Sequence, residues 1–157
     1  MECGDSVSLW ITARRFKLLA MIVLLGSVVP AMTAERVVLI ANAKNPVTTL
    51  NSLVVQKLFL GLTVPAEGGY LRPLRNESDE LMRQIFYQNV ISMSEPTYER
   101  RLLALTLQQG RTSPPIYRDT KALLNAIADD PFAVSYARAS EVTKDPRVKI
   151  LRILWQE

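Results

Sequence analysis

The chain has 157 residues, 48% of them hydrophobic, and carries a formal net charge of +4 with no histidine and a single cysteine. Lack of histidine removes the usual general base near neutral pH and the commonest neutral metal ligand, which argues against Ser-His-Asp chemistry and zinc hydrolysis. Charges of both signs are interspersed rather than gathered into a basic stripe, so nucleic acid is not an expected partner.

Residues 1 to 34 read as a secretory signal peptide. Arg14, Arg15 and Lys17 flank an apolar run from Leu18 to Val29, broken only by Gly26 and Ser27. That run is about twelve residues, whereas a bilayer span takes roughly 20, so cleavage is expected rather than anchoring. Small residues place the cut after Ala34, with Ala31 as the alternative. Contact with the membrane is then confined to this segment before its removal, and the product is expected in the periplasm. Cys3 leaves with it, so residues 35 to 157 have no thiol for a disulfide or a metal. The 123 remaining residues suit one domain with one core. They lose three basic residues (Arg14, Arg15, Lys17) and two acidic ones (Glu2, Asp5), which leaves a net charge of +3. Such a balance is compatible with attracting a small anion without requiring it.

From Arg36 to Ala41 a nearly continuous apolar run with three β-branched residues predicts a central strand buried on both faces. Asn45-Pro46 breaks it, and a helix is expected to open near Thr49 to Ser52, with Leu50, Leu53, Val54, Leu58 and Phe59 at helical spacing and Gly61 as its stop. Pro65, Gly68 and Gly69 mark a loop before a short strand at Tyr70 to Leu74. Ser78 is the expected cap of the next helix, with Asp79 and Glu80 in its first turn and Leu81, Ile85, Phe86 and Val90 on its apolar face. Ser94 is expected to cap a helix to about Gln108 that buries Tyr98, Leu102, Leu105 and Leu103. After the Gly110 to Pro115 loop, whose Arg111, Thr112 and Ser113 face ligand or solvent, Asp119 or Thr120 caps a helix built on Leu123, Leu124 and Ile127. Strands follow at Ala133 to Tyr136 and at Val148 to Leu154, the latter with Ile150 and Leu154 as apolar positions. Alternating strands and helices predict an α/β fold, a small mixed sheet flanked by helices.

Several short motifs occur in order: Asn45-Pro46-Val47, Leu58-Phe59-Leu60-Gly61, Leu74-Arg75-Asn76-Glu77-Ser78, Pro114-Pro115 and Ala133-Val134-Ser135-Tyr136. Together they resemble the substrate-binding proteins of phosphate ABC transporters, from about Glu35 to Leu154. The length corresponds to a short, single-lobe relative of periplasmic binding proteins. In that family an arginine at a strand end and a Ser-Gly-Thr turn at a helix start grip the phosphate. The resemblance therefore carries Arg75 and Ser78 over as ligand-binding positions, with Asn76 between them and Ser135 in the later motif.

The sequence departs from the pattern at the site itself. Asp79 and Glu80 stand where glycine and threonine are expected, and Ser135 stands where the final motif has glycine. Free backbone N–H groups at a helix start and a forked guanidinium both favour an oxyanion. Two carboxylates in that turn oppose it, and the same residues also read as an ordinary helix cap with acidic first-turn neighbours. Two functions remain open. One is a non-enzymatic exported lobe that binds phosphate or another oxyanion weakly, without a cofactor or metal. The other is an interaction module that touches an envelope sensor or transporter protein and has lost small-molecule binding. No set of catalytic roles is recognisable in the sequence, so an enzyme is not expected.

Overall fold

A computed structural model describes residues 35–157; the signal-peptide reading on residues 1–34 lies outside that span. Residues 35–157 make up one compact unit. Strand β1 (Arg36–Asn42) buries every residue after Arg36, as its apolar run requires. Asn42 ends it by turning its own side chain to the chain ahead: Oδ1 accepts from Lys44 N at 2.8 Å and Nδ2 donates to the Ile127 carbonyl at 2.8 Å. Helix α1 (Ser52–Phe59) starts at Asn51, whose Oδ1 accepts from Val54 N at 2.8 Å. It ends where Gly61 takes φ of +78°, a conformation that a side chain at that position would strain. The hairpin β2 (Pro65–Ala66) and β3 (Gly69–Tyr70) leads to two short strands in line, β4 (Arg72–Pro73) and β5 (Arg75–Asn76).

Helix α2 (Glu80–Ile85) runs straight into a π-helical stretch, Phe86–Ile91, which ends at Ser92 in the left-handed region with φ of 57°. Next come α3 (Glu95–Gln109), β6 (Ile116–Tyr117), α4 (Thr120–Asp129), β7 (Ala133–Arg138), α5 (Ala139–Val142) and β8 (Val148–Gln156). The main sheet has the order β4-β7-β1-β8. β1 is antiparallel to both neighbours, and β4 is parallel to β7. Beyond β4, the chain pairs β5 in parallel with β6.

Because side chains alternate along a strand, the sheet buries two separate clusters. Val37, Leu39, Ala41, Val134 and Tyr136 face α1, the π stretch and α3, while Val38, Ile40, Ala133 and Ala137 face α4 and α5. The first cluster is the aromatic one. Phe86 stacks on Tyr136 with ring centroids 4.0 Å apart, Phe59 meets both edge-on, and the Tyr98 hydroxyl donates to the Phe59 carbonyl at 2.6 Å.

Several local expectations shift by a residue or a face. Asp79, not Ser78, caps α2: its Oδ1 accepts from Met82 N at 2.8 Å, while the Ser78 hydroxyl donates to Asn76 Oδ1 at 2.7 Å. Moving the start by one residue turns the helix, so Met82 is buried and Leu81 is exposed. On α1, Val55 takes the inward place expected of Leu53, and on α3 Leu103 is exposed. Two register shifts between β1 and β8 rotate the last strand, which buries Leu151 and exposes Ile150. Tyr70 to Leu74 is divided between β3 and β4 instead of forming one strand.

Tyr98 ties α3 to the end of α1 through one buried hydrogen bond. Tyr98→Phe leaves the Phe59 carbonyl without its donor and is expected to lower unfolding stability by about 1–3 kcal/mol, measured as a reduced urea midpoint with unchanged slope.

Candidate functional site

The site that the sequence singles out is organised around the Arg75 guanidinium. Arg75 starts β5, where its backbone N donates to the Pro115 carbonyl at 2.8 Å, and its side chain passes to the aromatic face of the sheet. Its Nη2 donates to Glu77 Oε1 at 2.6 Å, to the Tyr87 hydroxyl at 3.0 Å and to the Glu99 carboxylate. Its Cζ lies 5.1 Å from the centre of the Tyr98 ring, within range of a cation–π contact. The Arg75 and Glu77 side chains are 2% and 8% exposed, whereas Glu99 is 46% exposed. Nε of Arg75 is buried and has no hydrogen-bond partner among the described residues.

Each partner reaches this point for a local reason. Glu77 is two residues along the same extended segment, its backbone N held by the Tyr117 carbonyl at 2.7 Å. Tyr87 lies in the π stretch, where the wider i→i+5 winding turns Phe86, Tyr87, Val90 and Ile91 all inward. Glu99 follows Tyr98 in the first turns of α3. Burial works against the guanidinium's charge, but the hydrogen bond to Glu99 and the coulombic pull of Tyr87, Tyr98 and Glu99 outweigh it, so Arg75 is held above the ordinary arginine pKa. Burial likewise pushes the Tyr98 and Tyr136 hydroxyls above their usual range and keeps both neutral. One guanidinium between two carboxylates gives the cluster a formal charge of −1 when both carboxyls are ionised.

The four ligand positions carried over from the resemblance sit close in the chain path but do not point into one space. Arg75 faces the aromatic cluster. Asn76 is fully buried: Nδ2 donates to the Tyr136 carbonyl at 2.9 Å, and Oδ1 accepts from both the backbone N and the hydroxyl of Ser78. The Ser78 hydroxyl lies 3.1 Å from Thr120 Oγ1 at the start of α4, which links the two helix starts. Ser135 lies on the α4 side of the sheet, paired with Ile40, and donates to the Leu74 carbonyl at 2.7 Å. The α2 N-terminus is occupied by the Asp79 carboxylate, whose other oxygen accepts from Arg138 Nη2 at 2.7 Å; Arg138 also pairs with Glu35.

Sequence reasoning missed Glu99 and Tyr87 as neighbours of Arg75. The only available signal was the rule that a buried charge needs a counter-charge, and no spacing links residue 75 to residue 99. The loop residues Thr112 and Ser113 line a different space, a cleft of about 480 Å³ walled by Leu58, Leu62, Leu71, Leu74, Pro114 and Pro115. Its rim carries the Arg72–Asp130 ion pair at 3.0 Å, so its cation is already matched. Arg111 turns back to the Gly61 carbonyl at 2.5 Å.

No protein-family model matches the chain, and no curated protein matches its sequence. Solved structures do match. An ABC-type phosphate transport receptor from Vibrio cholerae is 16% identical with a TM-score of 0.54, covering 75% of this chain and 46% of its own. A putative phosphate ABC transporter substrate-binding protein with bound phosphate from Clostridium perfringens is 15% identical with a TM-score of 0.59, covering 75% and 44%. PstS from Borrelia burgdorferi is 10% identical with a TM-score of 0.55, covering 76% and 47%. The chain spans less than half the length of these proteins. Identity this low speaks for the fold alone: residues 35–157 have the architecture of one lobe of a phosphate-type substrate-binding protein.

Proposed function

We propose that this chain is an exported, non-enzymatic lobe of the phosphate-binding-protein type, and that it works by contacting protein in the cell envelope rather than by holding a small molecule. The observation that carries this reading is the Arg75 cluster. The guanidinium that the family resemblance assigns to the oxyanion is buried and engaged by Glu77, Glu99 and Tyr87. The helix start that would add backbone N–H groups is capped by Asp79. Both anion-holding elements thus meet a carboxylate of the chain itself. A sensor or transporter component is the kind of partner the resemblance suggests, and export rests on the reading of residues 1 to 34.

A second reading keeps weak oxyanion contact at Arg75 alone of the four carried-over positions, since Asn76, Ser78 and Ser135 spend their donors on the Tyr136 carbonyl, Asn76 and the Leu74 carbonyl. The unpartnered Nε of Arg75 favours it, since that edge of the guanidinium has a donor to offer.

Isothermal titration of residues 35–157 separates the two. No saturable heat is expected with phosphate at about 1 mM, where even a weak site begins to fill. Saturable heat that disappears in Arg75→Ala would overturn the protein-contact reading in favour of the second. Stability reads the same residue independently of any ligand. Arg75→Met leaves Glu77 enclosed without its counter-charge and is expected to cost about 3 kcal/mol. Adding Glu77→Gln and Glu99→Gln to that variant should recover part of the loss, and phosphate should shift neither melting curve.

A further inference from the structure

Helix α3 is only lightly embedded in the lobe. Over its 15 residues it buries only Tyr98 and Leu102. At 3.6 residues per turn, Glu99, Arg100, Leu103 and Leu107 share a stripe on another side of the helix. Leu103 is 58% exposed and Leu107 is 77% exposed. Single exposed leucines are ordinary, but these two stand one turn apart as neighbouring positions on the helix surface, where a solvent-facing stripe would be polar.

The stripe complements a copy of itself. With two α3 helices antiparallel about a two-fold axis level with Leu105, Leu103 of each faces Leu107 of the partner subunit. Arg100 then lies level with the last turn of the partner's α3, near its Gln109 and Gly110. The carbonyls there carry the negative end of the helix dipole; α3 has no basic residue in its own last turn, and Arg111 just beyond it is turned to the Gly61 carbonyl. Parallel copies would instead set Arg100 against Arg100 and align the dipoles unfavourably. The pairing is isologous and closes on two copies, with no free stripe left to recruit a third.

We propose that the lobe pairs with a second copy of this chain through an antiparallel α3–α3 contact built on Leu103 and Leu107. The proposal rests on the protein-contact reading and adds a second copy of the chain to the envelope component as a partner. A helix pair of this size belongs with small, transient interfaces, so association in the micromolar range is expected.

The test uses residues 35–157, a compact unit that is free of cysteine because Cys3 is the chain's only one. Sedimentation velocity from about 1 to 200 µM should show a reversible monomer–dimer equilibrium. Leu107→Glu changes a side chain already in solvent and should leave the circular dichroism unaltered while weakening the dimer by at least about tenfold. Orientation is read by mixing Leu103→Cys and Leu107→Cys proteins under mild oxidation. The mixed disulfide should form faster than either variant cross-links with itself. A monomer at every concentration, a dimer indifferent to Leu107→Glu, or faster cross-linking within one variant would each overturn the proposal. The phosphate titration remains a separate readout: saturable heat removes the reading beneath the proposal, whereas a monomer without heat removes the self-partner alone.

Discussion

Burying the Arg75 charge is the constraint on which the rest of the site depends. Taking a guanidinium out of water costs several kcal/mol unless opposite charge and hydrogen-bond acceptors come with it. The lobe supplies them from three separate elements: Glu77 from the end of β5, Tyr87 from the π stretch and Glu99 from α3. The π winding turns Tyr87 to the guanidinium while Phe86 keeps its place on Tyr136, and the Tyr98 bond to the Phe59 carbonyl holds α3 at the height where Glu99 meets Nη2.

The same arrangement sets what an incoming oxyanion would meet at Arg75. Opposite a lone arginine, an oxyanion gains a forked, charge-assisted pair of hydrogen bonds. Opposite this cluster it meets a formal excess of one negative charge. At an effective dielectric of about 20 and a separation of roughly 4 Å, each unit of like charge costs about 4 kcal/mol before screening. An incoming anion therefore has to displace a carboxylate tethered at high local concentration, or bear that repulsion. Glu77, only 8% exposed and anchored through its backbone to Tyr117, is the harder of the two to displace; Glu99, nearly half exposed, is the softer.

What could be read in advance follows from how local its cause is. The central strand was legible because a continuous apolar run suits a strand buried on both faces, and β1 is one. Helix α4 was legible because Asp119 and the Leu123, Leu124 and Ile127 stripe are both short-range signals. The start of α2 was misread by one residue because Asn76 competes for Ser78, a tertiary effect that cap preferences do not contain. The exposed faces of Leu81, Leu103 and Ile150 trace to similar causes: a shifted cap, a helix only partly covered, and bulges on an edge strand. At the site, the extended segment that carries Arg75 toward a helix was legible, although Arg75 starts the two-residue strand β5 instead of ending one. Its partnership with Glu99 was not legible, because it depends on how α3 lies across the sheet.

Both faces of the main sheet are covered within the described residues, by the aromatic cluster on one side and by α4 and α5 on the other. The lobe therefore needs no second lobe to complete its core, even though the proteins it resembles are more than twice as long as the portions it matches. Among the surfaces it leaves open is the outer stripe of α3, and that stripe includes Glu99. A partner seated on Leu103 and Leu107 would exclude water one turn away from the Glu99 carboxylate, lowering the dielectric in which it meets Arg75 and strengthening that attraction. Coupling of this kind is reciprocal: whatever tightens the Arg75–Glu99 pair also holds the start of α3 in the position a partner must meet. The Glu99 carboxylate that meets Arg75 and the exposed Leu103 and Leu107 are thus parts of one helix, and a partner seated on the leucines would be felt at the carboxylate.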